Sequence, residues 1–205
     1  MRSELYVSTD VEADGPIPGP HSMLSFASAA FVLEMDEAGA RPVAFREAGS
    51  FSRNLETLPG ASGAPETMAF WRDHPAAWEA TRLDPQPPGT ALREYVDWLA
   101  ALEREAVPGR RLRPVFVAYP AGFDFAFVHW YLVRYAGRSP FSFAALDVKS
   151  YAMAVLRSSF RGAAKSRFPR EWFGPQRHTH VALDDAREQG ELFCRVRIAH
   201  HAPLA

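Results

Sequence analysis

Near the start of the chain, the apolar run Leu5-Tyr6-Val7-Ser8-Thr9 leads straight into Asp10-Val11-Glu12. The run reads as a strand ending at Asp10. Residues two apart on a strand project from the same face, so Asp10 and Glu12 share one direction. Two carboxylates at one strand end repel each other. A divalent cation between them removes that cost, and an oxygen-rich set of ligands suits Mg²⁺ or Mn²⁺ better than softer metals. Asp10 and Glu12 are expected on a central strand of a mixed sheet with helices on its faces.

The rest of the chain supplies those elements. Gly15-Pro16 and Pro18-Gly19-Pro20 make a rigid loop. Leu24 to Glu34 reads as a second strand, Asp36-Glu37-Ala38-Gly39 as a turn and Pro42 to Arg46 as a third strand, together an antiparallel hairpin. Residues 48 to 89 are rich in Gly and Pro and read as irregular, with short helical pieces at Glu66 to Trp71 and Pro75 to Thr81. Thr90 is placed to cap a helix whose Leu92, Tyr95, Val96, Leu99 and Leu102 fall on one face. Val115 to Ala118 reads as a buried strand. Asp124 opens Phe125 to Tyr135, apolar nearly all round and therefore a buried helix. Ala145 to Val148 suggests another strand, Ser150 the cap of a helix to about Leu156, and Leu183 to Ile198 the last helix. The expected fold is α/β, a mixed sheet with helices on its faces. No linker or internal repeat divides the 205 residues, so residues 1–205 are expected to form one domain.

Three separated motifs follow this order: Asp10-Val11-Glu12, Phe123-Asp124-Phe125, and His180 followed after four residues by Asp185. In order and context they resemble the DEDD-type 3′–5′ exonucleases, in particular the subgroup with a catalytic histidine. That family includes the proofreading subunit of bacterial replicative polymerase, RNase T, oligoribonuclease and small bacterial exoribonucleases. The resemblance covers about residues 4 to 198 and implies a ribonuclease-H-like, mixed five-stranded sheet flanked by helices. It implies two metal ions, Mg²⁺ or Mn²⁺, held by Asp10, Glu12, Asp124 and Asp185. Asp10 would bridge both ions. Glu12 and Asp185 would complete the site for the attacking water, and Asp124 would serve the leaving-group side, partly through water. His180 would be the general base, its ordinary pKa of about 6.5 suiting proton uptake near neutrality. Two such ions about 4 Å apart clamp the attacking and leaving oxygens of an in-line displacement. The implied activity is 3′–5′ exonucleolytic release of 5′-mononucleotides from single-stranded or short nucleic acid, RNA or DNA, with a free 3′ end.

Around this set, Gly15 would let backbone approach a terminal nucleotide, or simply turn the chain before Pro16. Met23 and Leu24 lie where relatives pack the last base. Trp71 would stack on a base or belong to the core. His178 competes with His180 for the base role, but only His180 has the family spacing to Asp185. Asp184 reads as a helix-start residue, and Asp147 as the cap of the turn after it. Ala13 stands where many relatives have Thr, and Tyr119-Pro120-Ala121-Gly122 where many have His or Asn.

The net charge is −1, which argues against a protein that coats long nucleic acid through bulk charge. The charge is uneven, however. Arg157, Arg161, Lys165, Arg167, Arg170 and Arg177 lie just before His180, opposed only by Glu171, and form either a phosphate-gathering segment or a solvated basic loop. The single cysteine, Cys194, cannot make an internal disulfide, and Met1-Arg2-Ser3-Glu4 lacks a signal-peptide pattern, so cytoplasmic residence and no membrane partner are expected. Several relatives dimerise, and Trp172 and Phe173, taken as exposed, would serve a homodimer. Two further classes are compatible with the same residues: a nucleic-acid-binding module on a degenerate nuclease fold, and a phosphodiesterase for a small nucleotide.

Overall fold

The structure is a computed structural model that describes residues 4–175 and 179–201. Five strands form one sheet in the order β3-β2-β1-β4-β5: β1 (Glu4–Ala13), β2 (Met23–Met35), β3 (Pro42–Asn54), β4 (Arg113–Ala118) and β5 (Ala145–Asp147). The first three are antiparallel neighbours, whereas β4 and β5 run parallel to β1. The helices are α1 (Pro65–Asp73), α2 (Pro75–Thr81), α3 (Pro88–Glu105), α4 (Ala121–Ala136), α5 (Val148–Val155) and α6 (Ala182–His200). This is the ribonuclease-H-like α/β arrangement, with β1 in the middle.

The period of two along β1 decides what each face does. Leu5, Val7, Val11 and Ala13 join a core that includes Leu92, Tyr95 and Leu99 of α3 and Phe127, Val128 and Tyr131 of α4. Tyr6 points the other way, into a second core with Phe193 and Val196 of α6, Val148 and Ala152 of α5, and Trp172. Ser8, Asp10 and Glu12 share Tyr6's parity, so both carboxylates face the α6 side. α6 comes unusually close there. A Cβ on Gly190 would stand 2.3 Å from the Phe31 ring and 2.8 Å from the Ser8 Cβ, so only glycine allows this approach. On the other side of the sheet, Thr9 Oγ1, Ser28 Oγ and the Tyr95 hydroxyl form a buried hydrogen-bonded chain with 2.7 Å links, tying β1, β2 and α3 together.

Several boundaries differ from those expected. β1 does not stop at Asp10, because Asp10, Glu12 and Ala13 still pair with Ala27, Ser25 and Met23 of β2. β3 runs past Arg46 through a segment that reads as irregular. An extra residue between Glu47 and Gly49 makes a bulge opposite Phe31 and Ala30, after which pairing resumes. α3 begins at Pro88, where a missing N–H costs nothing, and Thr90 sits inside its first turn without capping it. α5 is capped by Asp147, not Ser150: the Asp147 side chain accepts from the Ser150 N–H at 2.7 Å. Trp172 is only 5% exposed, packed with Phe168 in the α6-side core, so it offers no surface for dimerisation. Cys194 is fully buried, and burial pushes its thiol pKa up. Among the described residues, no helix is long and apolar enough to cross a membrane.

Candidate active site

β4 pairs with β1 only as far as Ser8 opposite Val117. Beyond that point β1 continues toward its carboxylates paired only with β2, and the edge that faced β4 meets side chains instead of backbone. The N–H of Val11 donates to Asp124 Oδ1 at 3.0 Å. Asp124 lies in the first turn of α4 and is 4% exposed. It is not a helix cap. The capping position belongs to Pro120, and the Asp124 side chain is spent on β1. Burial, followed by the charge of Asp10, holds its carboxyl well above the usual range, while the Val11 N–H pulls it down.

Glu12 carries the record of the whole cluster. Burial first, then Asp10, Asp185 and Asp124, push its pKa up to about 9. The other three carboxyls therefore all act on Glu12 at this end of β1. Asp124 and Asp185 both occupy first helical turns, where the partial positive charge of the helix N-terminus offsets part of that repulsion.

Asp185 is 2% exposed, and each of its oxygens accepts one backbone hydrogen bond. Oδ1 takes the Thr179 N–H at 2.8 Å, and Oδ2 takes the His180 N–H at 2.9 Å. His180 has φ +58°, a left-handed conformation that non-glycine residues seldom adopt. The two bonds to Asp185 hold that turn and fix where the imidazole emerges. The ring lies edge-to-face against Phe70, at 5.3 Å between centroids, and against His74, at 5.0 Å. One donor atom each from Glu12, His180 and Asp185 lie within 4.8 Å of one another. Clustered, mutually repelling carboxylate oxygens are the chemistry of a hard divalent-cation site, with the His180 imidazole beside them.

The structure thus brings Asp10, Glu12, Asp124, His180 and Asp185 to one place. It treats the other candidates differently. Met23 and Leu24 are fully buried, and the Met23 N–H donates to the Tyr131 hydroxyl at 2.8 Å. Trp71 is 3% exposed, packs with Leu24 and Ala77, and donates from Nε1 to the Ala13 carbonyl at 3.0 Å. Gly15 is buried beneath His21, whose ring atoms would lie 2.2 Å from an added Cβ. Met23 and Trp71 brace the Ala13 end of β1, and the side chains of Met23, Leu24 and Trp71 are buried in the core. Asp184 accepts from Thr179 Oγ1 at 3.2 Å, at the start of α6. Asp147 also accepts from the Ala121 N–H at 2.9 Å, joining β5 to the start of α4. His178 and Arg177 lie outside the described residues.

Sequence reasoning missed Phe70, His74 and Gln189. Nothing local in the α1 segment signals that its C-terminal end meets His180. Gln189 left a faint signal: it follows Asp185 by four positions and so shares its helix face.

No family model matches the chain. Among solved structures, a full-length 3′-exonuclease superposes with a TM-score of 0.65 at 10% identity, over 95% of this chain and 82% of the other. The zinc-bound complex of Escherichia coli ExoI with single-stranded DNA gives 0.57 at 12%, over 96% of this chain and 40% of ExoI. Pop2p of S. pombe, with Mg²⁺ and Mn²⁺ bound, gives 0.53 at 19%, over 94% and 82%. These likenesses define the fold. By sequence, the chain is 34% identical over 197 residues to the 3′–5′ DNA exonuclease Cap18 of Escherichia coli, covering 93% of this chain and 90% of the relative. The chain belongs to the DEDD-type 3′–5′ exonuclease superfamily, and it is an enzyme of that kind.

Proposed function

We propose that the chain removes 5′-mononucleotides one at a time from the 3′ end of single-stranded DNA. The observation that carries this reading is the convergence of four carboxylates and His180 beyond the end of the β1–β4 ladder. Asp10, Glu12, Asp124 and Asp185 would hold two ions, Mg²⁺ or Mn²⁺. When bound, such ions supply the positive charge that an in-line displacement at a phosphodiester requires. The chain's own residues do the rest. Asp185 fixes the His180 backbone, so the imidazole stands next to the carboxylates with a ring nitrogen able to take a proton from the attacking water. Asp124, anchored on the Val11 N–H, keeps the leaving-group side of the site at a set distance from Asp10.

The recessed position of Asp124 and Asp185, 4% and 2% exposed, favours a single frayed strand over a blunt duplex end. The choice of DNA rests on the curated relative, a DNA exonuclease across nearly the whole chain. The basic segment supports a strand path. Lys165 pairs with Glu188, one turn beyond Asp184 on α6, and Phe168 packs edge-to-face on Tyr119, next to the start of α4. Arg157, Arg161, Arg167 and Arg170 of this segment are exposed.

The test is degradation of 5′-labelled single-stranded DNA and RNA of one sequence, followed by a length series down to dinucleotides. Shortening from the 3′ end, faster on DNA, supports the proposal. Faster RNA decay would reverse the substrate choice. Turnover confined to dinucleotides would make the enzyme a small-nucleotide phosphodiesterase, and binding without turnover would make it a binding module.

A further inference from the structure

Gln189 is a buried amide on α6, 3% exposed, one turn past Asp185. Its Oε1 accepts the Tyr119 N–H at 2.8 Å, and its Nε2 donates to the Thr9 carbonyl at 2.8 Å. The amide orientation is fixed by its partners, since a backbone N–H can only donate and a carbonyl only accept. Both partners lie just past the last β1–β4 pair, Ser8 opposite Val117. The side-chain amide therefore stands where the next stretch of parallel ladder would be. Each of its attachment points neighbours a carboxylate-bearing piece. Thr9 precedes Asp10. Tyr119 precedes Pro120, the N-cap of the helix that carries Asp124. Gln189 itself shares a helix face with Asp185. The close approach at Gly190 brings α6 near enough for this reach.

We propose that Gln189 is a positioning residue, its amide setting the spacing between β1, the β4–α4 junction and α6, and hence between Asp10, Asp124 and Asp185. Asparagine, one methylene shorter, falls short of spanning both groups, and methionine would leave both backbone groups unserved. The inference rests on the proposed metal-dependent reading of the site.

The experiment titrates Mn²⁺ into the parent protein and into Q189M, Q189N, D10N and L192A, following free Mn²⁺ by electron paramagnetic resonance, with circular dichroism to confirm folding. L192A removes core volume from the same helix without touching the site. Q189M and Q189N are expected to bind Mn²⁺ about tenfold more weakly than the parent, the scale seen when groups supporting metal ligands are removed. L192A should stay within twofold. On the oligonucleotide, kcat should fall for both Gln189 variants while KM stays close to the parent value. Q189N keeps the uncharged amide but not its reach, so it provides the readout should Q189M fail to fold. Parent-like Mn²⁺ binding in a folded Gln189 variant overturns the proposal, and so does an equal loss in L192A. Parent-like Mn²⁺ binding in D10N would instead overturn the metal-site reading beneath it.

Discussion

Val11 and Asp124, 113 positions apart in the chain, are joined by one hydrogen bond of 3.0 Å between a strand N–H and a helix carboxylate. This bond brings the second motif onto the first, and it separates two roles of one side chain. Asp124→Asn keeps an acceptor for Val11 but removes a charge from a repelling cluster. The metal-free variant should melt at or above the parent temperature, while kcat falls about 100-fold or more. Asp124→Ala also loses the bond, and its stability should drop by about 1–3 kcal/mol, the cost of an unserved buried donor. Thermal melts beside single-turnover rates check both outcomes.

His180 sits within reach of Glu12 and Asp185 and against Phe70 and His74. If it moves a proton and does not hold an ion, His180→Asn should lower kcat by about 10²–10⁴-fold and leave Mn²⁺ affinity within a few-fold. Calorimetry of Mn²⁺ binding distinguishes the roles, since a ligand role would weaken binding in step with rate.

The Glu12 carboxyl gives a stability profile with a definite sign. Its pKa in the fold is raised to about 9 from an ordinary 4.5, so the fold holds this proton more tightly than the unfolded chain does. The stabilisation this provides is fully present below about pH 4.5 and is lost as pH rises toward 9. Metal-free protein should therefore lose stability from this site across that window, and saturating Mg²⁺ should reverse most of the loss at the alkaline end. Denaturant melts at several pH values, with EDTA or Mg²⁺, measure it. A Glu12→Gln variant should flatten the metal-free profile.

Arg161, Arg167 and Arg170 are exposed on the segment that leans on Tyr119 and α6. Replacing each by Ala should weaken oligonucleotide binding alike for all sequences. The slope of log affinity against log salt should shrink by about 0.7 per cation removed from a single strand. Fluorescence anisotropy in Ca²⁺, with no turnover, gives the slopes. Unchanged slopes would return the segment to a solvated loop.

What the sequence made legible, and what it hid, divides by the range of the forces involved. The shared face of Asp10 and Glu12 follows from the two-residue period of a strand, which is local. The pairing of His180 with Asp185 is also local, within one helix start. Motif order then carried the fold through resemblance. The extension of β3 stayed hidden because Ala48-Gly49-Ser50 carries loop-like residues, and only the partner strand shows that a bulge absorbs the irregularity. Trp172 reads as a surface aromatic in a basic stretch until tertiary packing sets it on the α6-side core. Phe70 and His74 reach His180 from another part of the chain, and no local pattern encodes that meeting.

The most direct test of the central claim is a time course on 5′-labelled single-stranded DNA with Mg²⁺ or Mn²⁺, beside EDTA and Asp10→Ala controls. The account predicts a ladder shortening from the 3′ end that needs the divalent ion and is abolished in a folded Asp10→Ala protein. Unimpaired degradation by that variant, or no degradation by a folded, metal-loaded parent, would contradict it.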